Sequence, residues 1–334
     1  MTYTPTTAPL EPVEPDIVGP EKAIEGLSLG RLALRRLRRD RLTMISVVVV
    51  AVFLLLAVLA PVLSATKILD PETFHNDLID PATGGLPKAP YGGMSWEHPL
   101  GVEPGTGRDV LSRLVLGVTF SLMVALFATL VAVVIGTIAG IVSGFLGGWV
   151  DFVISRIVDM TLSFPQTLML IALSGLFIDQ LTERLKVPAG NTANGVYVIL
   201  VLGLFGWPSF ARLIRGQVLS QREREYIEAA RSLGARNSRI YFKELLPNLW
   251  APVLVYFTLT LPLFISAEAA LSFLGVGIKP PTPTLGNILT NSTNYSIGDF
   301  TYFVFPAVII AGLVLSFNLV GDGLRDALDP KANR

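Results

Sequence analysis

The sequence contains no cysteine and only two histidines among its 334 residues. Without cysteine, disulfides, thiolate nucleophiles, iron–sulfur clusters and cysteine-ligated zinc sites are all excluded. The two histidines, His75 and His98, are too far apart in the chain for the paired-histidine spacing of a metalloprotease zinc site. We therefore interpret both as loop residues that hold no metal.

Charged residues are also scarce. Only 16% of the chain is Asp, Glu, Lys or Arg, whereas 51% is hydrophobic, and 26 basic residues balance 26 acidic ones. Soluble proteins carry roughly a quarter charged residues, so this composition, with a mean hydropathy of +0.58, indicates a protein that crosses the membrane several times. The neutral total also argues against a nucleic-acid partner, because phosphate binding requires an excess of basic residues.

Nucleotide-binding and hydrolase motifs are not found where they would be needed. The glycine-containing stretches at 105–107 and 275–277 lack both the length of a phosphate-binding loop and its terminal Lys-Ser/Thr. No Gly-x-Ser-x-Gly nucleophile motif lies near either histidine. We therefore expect no catalytic residues, no metal site and no enzymatic activity in this chain.

Long apolar stretches predict an all-α, polytopic membrane protein with six transmembrane helices. The third stretch contains Arg156 and Asp159, which are three residues apart and are predicted to pair on one helical face, and Pro165, which is predicted to kink it. The six predicted spans are 43–63, 116–143, 150–178, 192–210, 250–274 and 301–320.

The distribution of lysine and arginine predicts the orientation of these spans. If the N-terminus is inside, 19 of the 26 basic residues fall on the cytoplasmic side and 7 fall outside. We therefore expect a multi-pass protein of the plasma (inner) membrane with both termini in the cytoplasm.

The same pattern divides the chain into segments. We expect a disordered cytoplasmic tail at 1–26, because it is rich in proline, threonine and glutamate. A basic segment and the first span follow at 27–63, and 64–115 forms an external loop or subdomain, with an amphipathic surface helix at 108–115 and an accessory stretch at 67–91. The remaining predicted segments are a five-helix core at 116–322 and a cytoplasmic C-terminal tail at 323–334.

Two features inside the predicted spans stand out. Gly136, Gly140 and Gly144 recur every four residues on one face of the second span, which favours close packing of another helix, with a sliding contact as the alternative. Glu268 is an acidic residue within the fifth span. Such residues usually face the bundle interior or a water-filled path, so either a structural hydrogen bond or a gate role is possible.

The loop at 211–249 is the one sizeable polar segment predicted between spans on the cytoplasmic side. Its sequence predicts a helix that ends at Gly234, followed by a second amphipathic helix that Pro247 stops. Alanines 229 and 230 make one face of the first helix flat enough for close approach by another protein.

This loop resembles the EAA loop of ABC-importer permeases, in which Glu-Ala-Ala is followed by Gly after three residues and later by Leu-Pro. Glu244 stands where that family usually has isoleucine. A second Glu-Ala-Ala at 268–270 has its next glycine one residue too late, so the tripeptide alone decides nothing. The residues that match the full pattern are Glu228, Ala229, Ala230, Gly234, Leu246 and Pro247.

Other segments resemble the dipeptide/oligopeptide/nickel permease family, and within it the C-type subunit of the permease pair. Besides the arginine-rich approach to the first span, they are 98–102, 107–114, 147–151, 162–165, 270–275 and 318–330.

The resemblance implies a type I ABC-importer permease fold and inward transport of short peptides or, as an alternative, of nickel or another small solute. It implies a homologous permease as heterodimer partner, two ATP-binding subunits or one two-domain ATPase, an external substrate-binding protein and the lipid bilayer. ATP and Mg would bind to the ATPases, with no cofactor on this chain. The EAA residues would couple this chain to the ATPases. An ion-driven secondary transporter and a membrane-embedded enzyme stay open as different classes.

Overall fold

The computed structural model describes residues 35–328, so the predicted tail at 1–26 lies outside the described residues. The described chain is mostly helical, as predicted, with one short ribbon in which β1 (Ile79–Asp80) pairs antiparallel with β2 (Leu86–Pro87). The helices are α1 Arg41–Ala65, α2 Val110–Leu146, α3 Gly148–Ser163, α4 Gln166–Ala172, α5 Ser174–Glu183, α6 Asn191–Gln221, α7 Glu225–Ser232, α8 Asn237–Phe273, α9 Leu285–Tyr295 and α10 Phe300–Leu328.

Within residues 35–328, five helices are long and apolar enough to cross a membrane, namely α1, α2, α6, α8 and α10. The third predicted span is not one helix, because it is divided into α3, α4 and α5. The first break is at Phe164, whose backbone is extended because it precedes Pro165. The chain still returns across the bundle here, since α2 and α6, on either side of this segment, run in the same direction: Gly136 lies against Phe210 and Gly144 against Val218.

Helix α1 has the reverse of the pattern found in soluble helices. Its polar residues Thr43 and Ser46 are buried, whereas Val58 is 72% exposed and Ile45 is 62% exposed. Large apolar side chains on the outside and small polar ones against neighbouring helices are what a lipid environment favours. Helix α1 packs on α2 and on α10, so its outer face is available to the bilayer.

The start of α2 differs from the sequence prediction. A separate amphipathic surface helix at 108–115 was predicted, but this prediction is wrong, since α2 is continuous from Val110. The helix begins there because the carboxylate of Asp109 accepts a hydrogen bond from the backbone N–H of Ser112 at 2.7 Å, which caps its first turn. The predicted external segment at 64–115 therefore ends as a loop at residue 109.

The stretch at 67–91 packs against neighbouring loops and against the start of α2. The backbone N–H of Asp70 donates to Ser112 Oγ at 3.1 Å, and that of Gly105 donates to the carbonyl of Gly85 at 2.7 Å. A side chain at Gly298 would lie 2.9 Å from Leu86, so β2 also touches the loop before α10. These contacts make the stretch part of one folded layer with 98–109, while its expected accessory role stays a prediction.

The last helix also extends beyond its predicted end. Residues 323–328, expected to begin the C-terminal tail, form the last turns of α10, and Ala327 is buried there. Close packing explains the extension, because a Cβ at Gly321 would lie 2.7 Å from Leu259 on α8. Residues 329–334 lie outside the described part of the chain.

Candidate functional site

Helix α7 lies between two of the membrane helices and presents most of its predicted coupling residues on its surface. Glu228 and Ala229 are exposed, and Ala230 is half-buried. Glu225 and Glu228 occupy the first turn and Arg231 the last, which is the charge order that the helix dipole favours. The helix thus combines a charged N-terminal turn with two small alanines on an accessible surface.

The end of α7 is fixed by backbone geometry. Gly234 has φ +77°, the left-handed conformation that glycine adopts without strain. The backbone N–H of Ala235 donates to the carbonyl of Ala230 at 3.0 Å, and that of Gly234 donates to the carbonyl of Arg231 at 2.9 Å. This pair of bonds is a Schellman motif, so Gly234 ends the helix and sets the direction of the turn, as the sequence predicts.

Helix α7 is anchored to the bundle by one apolar side chain. Ile227 is fully buried among residues of α2, α6 and α8. Burying such a side chain stabilises the contact by about 1.5–3 kcal/mol. The residues of this cluster are Val133, Ile141, Phe145, Phe210, Ile214, Val218, Ile227, Ile240, Leu245, Leu249 and Val253.

A second contact joins α7 to the end of α2. The guanidinium carbon of Arg231 lies 4.7 Å from the centroid of the Phe145 ring, and that ring meets Tyr241 edge to face at 5.0 Å. Arg222, just before α7, donates to the carbonyl of Gly144 at 3.2 Å. Helix α7 and Arg222 before it therefore contact the last turn of α2, which in turn contacts the first turns of α8.

The second half of the loop differs from its prediction. Pro247 was expected to stop a helix, and this is wrong, because α8 continues through it to Phe273. A π-helical turn, Ile240–Leu245, precedes Pro247, which then lies in the first turn of the α-helical part, where proline is tolerated. Leu246 is half-buried and Pro247 is exposed.

Helices α6 and α8 also extend past the predicted spans, so the connection between the two helix ends is 222–236. An open groove of about 760 Å³ lies at the base of α7. Its lining mixes both signs of charge with amide and phenol groups, and consists of Gln221, Glu223, Arg224, Glu225, Tyr226 and Asn248. Leu233, Phe242 and Tyr226 add exposed apolar surface at the same end. Such a surface suits a protein partner.

The glycines of α2 face α6 throughout. A Cβ at Gly136 would lie 2.8 Å from Phe210, one at Gly140 2.7 Å from Ile214, and one at Gly144 2.9 Å from Val218. Each glycine therefore receives a large side chain of the neighbouring helix, and no other residue fits without displacing it. The arrangement is a close-packed interface, and the alternative of a sliding contact stays a prediction.

Helix α3 is held to α6 by two ion pairs. Asp151 receives two hydrogen bonds of 2.6 Å from Arg215, and it also contacts the hydroxyl of Ser143. Asp159 pairs with Arg212 at 2.8 Å.

The predicted pair between Arg156 and Asp159 is therefore wrong. The guanidinium of Arg156 lies 5.4 Å from the centroid of the Phe152 ring, one turn earlier in α3, and Asp159 turns to α6 instead. The partner of Asp159 could not be identified from the sequence, because Arg212 is 53 residues away.

Glu268, in α8, is 2% exposed. Its two carboxylate oxygens accept hydrogen bonds from Ser121 Oγ of α2 at 2.8 Å and from Ser272 Oγ at 2.9 Å. Ser121 Oγ also accepts from the backbone N–H of Leu285, at the start of α9. Glu268 thus joins three helices, which supports the structural alternative of the two that the sequence left open; a gate role stays a prediction.

A second buried acid, which the sequence did not single out, organises the layer outside the membrane helices. Glu103 is 1% exposed and accepts hydrogen bonds from Arg108 Nε at 2.7 Å and Tyr302 Oη at 2.8 Å, with Arg113 Nε at 3.4 Å. Burial opposes ionisation, but Arg113, Thr106 and Arg108 outweigh it, so the pKa of Glu103 falls below its ordinary value.

His98 is likewise not a simple loop residue, because its Nδ1 lies 3.0 Å from Asp109 Oδ1, the cap of α2. The two histidine rings lie 4.8 Å apart. Among residues 35–328, no group of three or more His, Cys, Asp or Glu side chains is placed to hold a metal ion.

Comparison with known proteins identifies a family that this sequence matches. Residues 132–334 match the family described as binding-protein-dependent transport system inner membrane component, and residues 28–81 match the N-terminal TM domain of oligopeptide transport permease C. The chain is 34% identical over 323 residues to the dipeptide transport system permease protein DppC of Alkalihalophilus pseudofirmus, with 97% of both chains covered.

Other relatives agree. The chain is 38% identical over 300 residues, 89% of both chains, to the glutathione transport system permease protein GsiD of Salmonella typhimurium. A solved structure of the MetNI methionine ABC transporter in an inward-facing conformation matches with a TM-score of 0.50 and 22% identity, over 66% of this chain and 96% of that chain. At this identity, the likeness concerns the fold alone.

Proposed function

The chain belongs to the family of binding-protein-dependent transport system inner membrane components, the permeases of ABC importers, and on this premise we propose that it imports short peptides. It would form half of a translocation path, with a homologous permease as the other half. The dipeptide permease among its relatives supports the substrate class, and the glutathione permease, whose solute is itself a short peptide, supports it further.

The observation that carries the coupling role is the surface of α7. Glu228 and Ala229 are exposed on a short helix that is anchored to the bundle through the buried Ile227, and Gly234 is exposed in the turn that follows. A rigidly held helix with small exposed residues is suited to fit a partner's groove and to pass on its movement. In this proposal, Ala230, Leu246 and Pro247 complete the coupling surface, and the partner is a pair of ATP-binding subunits or one two-domain ATPase.

The ATPases would bind ATP and Mg, and this chain would bind no cofactor. The bundle end that carries α7 would face the cytoplasm, with both chain termini on that side, and the layer around Glu103 would face an external substrate-binding protein. The split of 19 basic residues against 7 supports this orientation. ATP binding would move α7 and switch the path between inward-facing and outward-facing arrangements.

The test is purification of the tagged chain, followed by reconstitution with the subunits that accompany it. We expect an ATPase and a second permease to co-purify, and solute-loaded binding protein to stimulate ATP hydrolysis and uptake of dipeptides in proteoliposomes. A panel of dipeptides, glutathione and nickel identifies the solute. A chain that moves solute alone on an ion gradient would overturn the proposal in favour of a secondary transporter.

The orientation can be tested separately, because the chain lacks cysteine. Thr83→Cys should react with an impermeant maleimide in intact cells, and Ser238→Cys should react only after the membrane is opened. The opposite result would place α7 on the outside and remove the basis for ATPase coupling.

A further inference from the structure

A cavity of about 480 Å³ lies in the layer that contains Glu103, on the face of α9. Four polar residues of α9 line it at helical spacing, so that they form one stripe of amides and a hydroxyl; they are Asn287, Thr290, Asn291 and Asn294. The opposite face of α9 is buried through Leu285 and Ile288. The size is within the usual range of ligand pockets, roughly 300–1,000 Å³.

The charge of this cavity has one sign. Of its lining residues, all within the described chain, Arg108 and Lys279 are charged, and none is acidic. Arg108 shares Glu103 with Arg113, so one carboxylate faces two guanidinium groups and leaves a net positive charge beside the cavity. Lys279 is exposed and makes no ion pair with any residue in 35–328.

The wall that carries Lys279 is held in place by two asparagines. The side chain of Asn191, at the start of α6, donates to the carbonyl of Lys279 at 2.7 Å and accepts from its backbone N–H at 2.9 Å. Asn287 Nδ2 donates to the carbonyls of Ile278 at 3.2 Å and Thr282 at 2.8 Å. The lysine backbone is therefore pre-positioned at the rim, which lowers the cost of binding a ligand there.

Hydrogen-bonding capacity is left over inside the cavity. Asn294 is exposed, and its side-chain amide makes no hydrogen bond to another residue in 35–328. The hydroxyl of Thr290 donates to the carbonyl of Gly286 at 2.8 Å, so its oxygen can still accept. An amide that both donates and accepts matches the backbone of a peptide, and a cationic end matches a carboxylate.

We propose that this cavity is a subsite for the carboxylate end of a short peptide, with Lys279 as the charge partner and Asn294 and Thr290 as partners of the peptide backbone. The inference rests on the proposed function for its solute class. It would make the permease itself select for a free carboxyl terminus. An acidic side chain of the external binding protein is the competing occupant, and the experiment separates the two.

The first measurement uses thiol protection in the purified permease–ATPase complex, without binding protein and without transport. Asn294→Cys places a single thiol of this chain in the cavity and leaves Lys279 and Thr290 to hold the peptide. Thr293→Cys places a thiol on the adjacent exposed residue, which does not line the cavity. A dipeptide with a free carboxylate should slow maleimide labelling of Asn294→Cys about threefold at twice its dissociation constant. Labelling of Thr293→Cys should not change.

The same dipeptide with an amidated C-terminus should protect Asn294→Cys far less. Equal protection by the acid and the amide, or no protection by either up to the solubility of the dipeptide, would overturn the proposal.

The second measurement changes the charge. In the Asn294→Cys background, Lys279→Gln should abolish protection and Lys279→Arg should retain it, while Lys186→Gln, an exposed lysine outside the cavity, should have no effect. If Lys279→Gln leaves protection intact but weakens docking of the binding protein, the cavity is a docking contact and the subsite is refuted. Because the protection assay needs no transport, a wild-type complex that takes up no peptide would refute the proposed function and not this subsite.

Discussion

The guanidinium carbon of Arg231 lies 4.7 Å from the centroid of the Phe145 ring, and this contact joins α7 to the last turn of α2. Phe145 in turn meets Tyr241 edge to face. Two long helices that pack against the rest of the bundle therefore share one aromatic cluster with the short helix that we propose to be the docking element.

Replacing Arg231 with alanine should weaken coupling while leaving assembly intact. An exposed cation–π contact is worth about 0.5–1 kcal/mol, which corresponds to roughly a two- to fivefold loss in solute-stimulated ATP hydrolysis. Transport should fall in parallel. The matched control is Arg239→Ala, an exposed arginine in the first turn of α8 without such a contact. Equal losses in the two variants would show that charge on the loop matters and not the contact with Phe145.

Two glycines with equally open surroundings provide a test of the turn after α7. A Cβ at Gly234 or at Gly216 meets nothing within 4 Å, but only Gly234 has positive φ. Gly234→Ala should therefore cost about 1–2 kcal/mol and reduce ATPase stimulation. Gly216→Ala, inside α6 near its C-terminal end, should be neutral or stabilising by up to about 1 kcal/mol. Thermal unfolding of the purified complex measures both, and similar values would contradict the assignment of a left-handed turn.

The two ion pairs between α3 and α6 should contribute unequally. The Asp151–Arg215 pair is partly buried and doubly hydrogen-bonded, whereas both side chains of the Asp159–Arg212 pair are more than half exposed. We expect Asp151→Asn to cost about 1–3 kcal/mol and Asp159→Asn less than about 1 kcal/mol. Proteolysis of α3 in the purified complex reports its release from α6. A larger effect for Asp159→Asn would contradict this ranking.

Glu103 should make the folded layer that contains it sensitive to acid. Its pKa lies below the ordinary glutamate value because Arg113, Thr106 and Arg108 outweigh the effect of burial. The stability that its ionised form contributes is thus present above the unfolded-state pKa and is lost as the pH falls through the lower folded-state pKa. Hydrogen exchange of residues 64–109 should accelerate over that acidic range.

Glu103→Gln should exchange faster already at neutral pH and lose most of the acid-dependent acceleration. Glu72→Gln, an exposed position in the same layer, serves as the control and should keep the wild-type profile. An unchanged acid profile in Glu103→Gln would assign the sensitivity to another group.

Features with a local cause were predictable from the sequence. The long apolar stretches identified the membrane helices. The end of α7 at Gly234 was also predictable, because a left-handed turn depends on the backbone conformation of that one glycine. Pro165 identified the position of the break in the third span but not that the span would divide into three helices. Pro247 was misread because the π-helical turn that accommodates it has no sequence signal.

Features with a distant cause were not predictable. Glu103 accepts a hydrogen bond from Tyr302, which is 199 positions away in the chain, and nothing near residue 103 indicates that partner. Asp159 had a suitable arginine three residues away and still paired with Arg212. Composition and periodicity report which residues are apolar and where helices begin, but the choice between two arginines depends on how the helices pack.

The packing of α1 against α10 has a consequence for biosynthesis. Helix α1 is synthesised before α10, yet its small polar face, with Thr43 and Ser46, is covered in part by α10, where Gly323 meets Thr43. Until translation reaches α10, α1 lacks this neighbour. A chain cut short before α10 would therefore leave that face of α1 without the cover that α10 gives it.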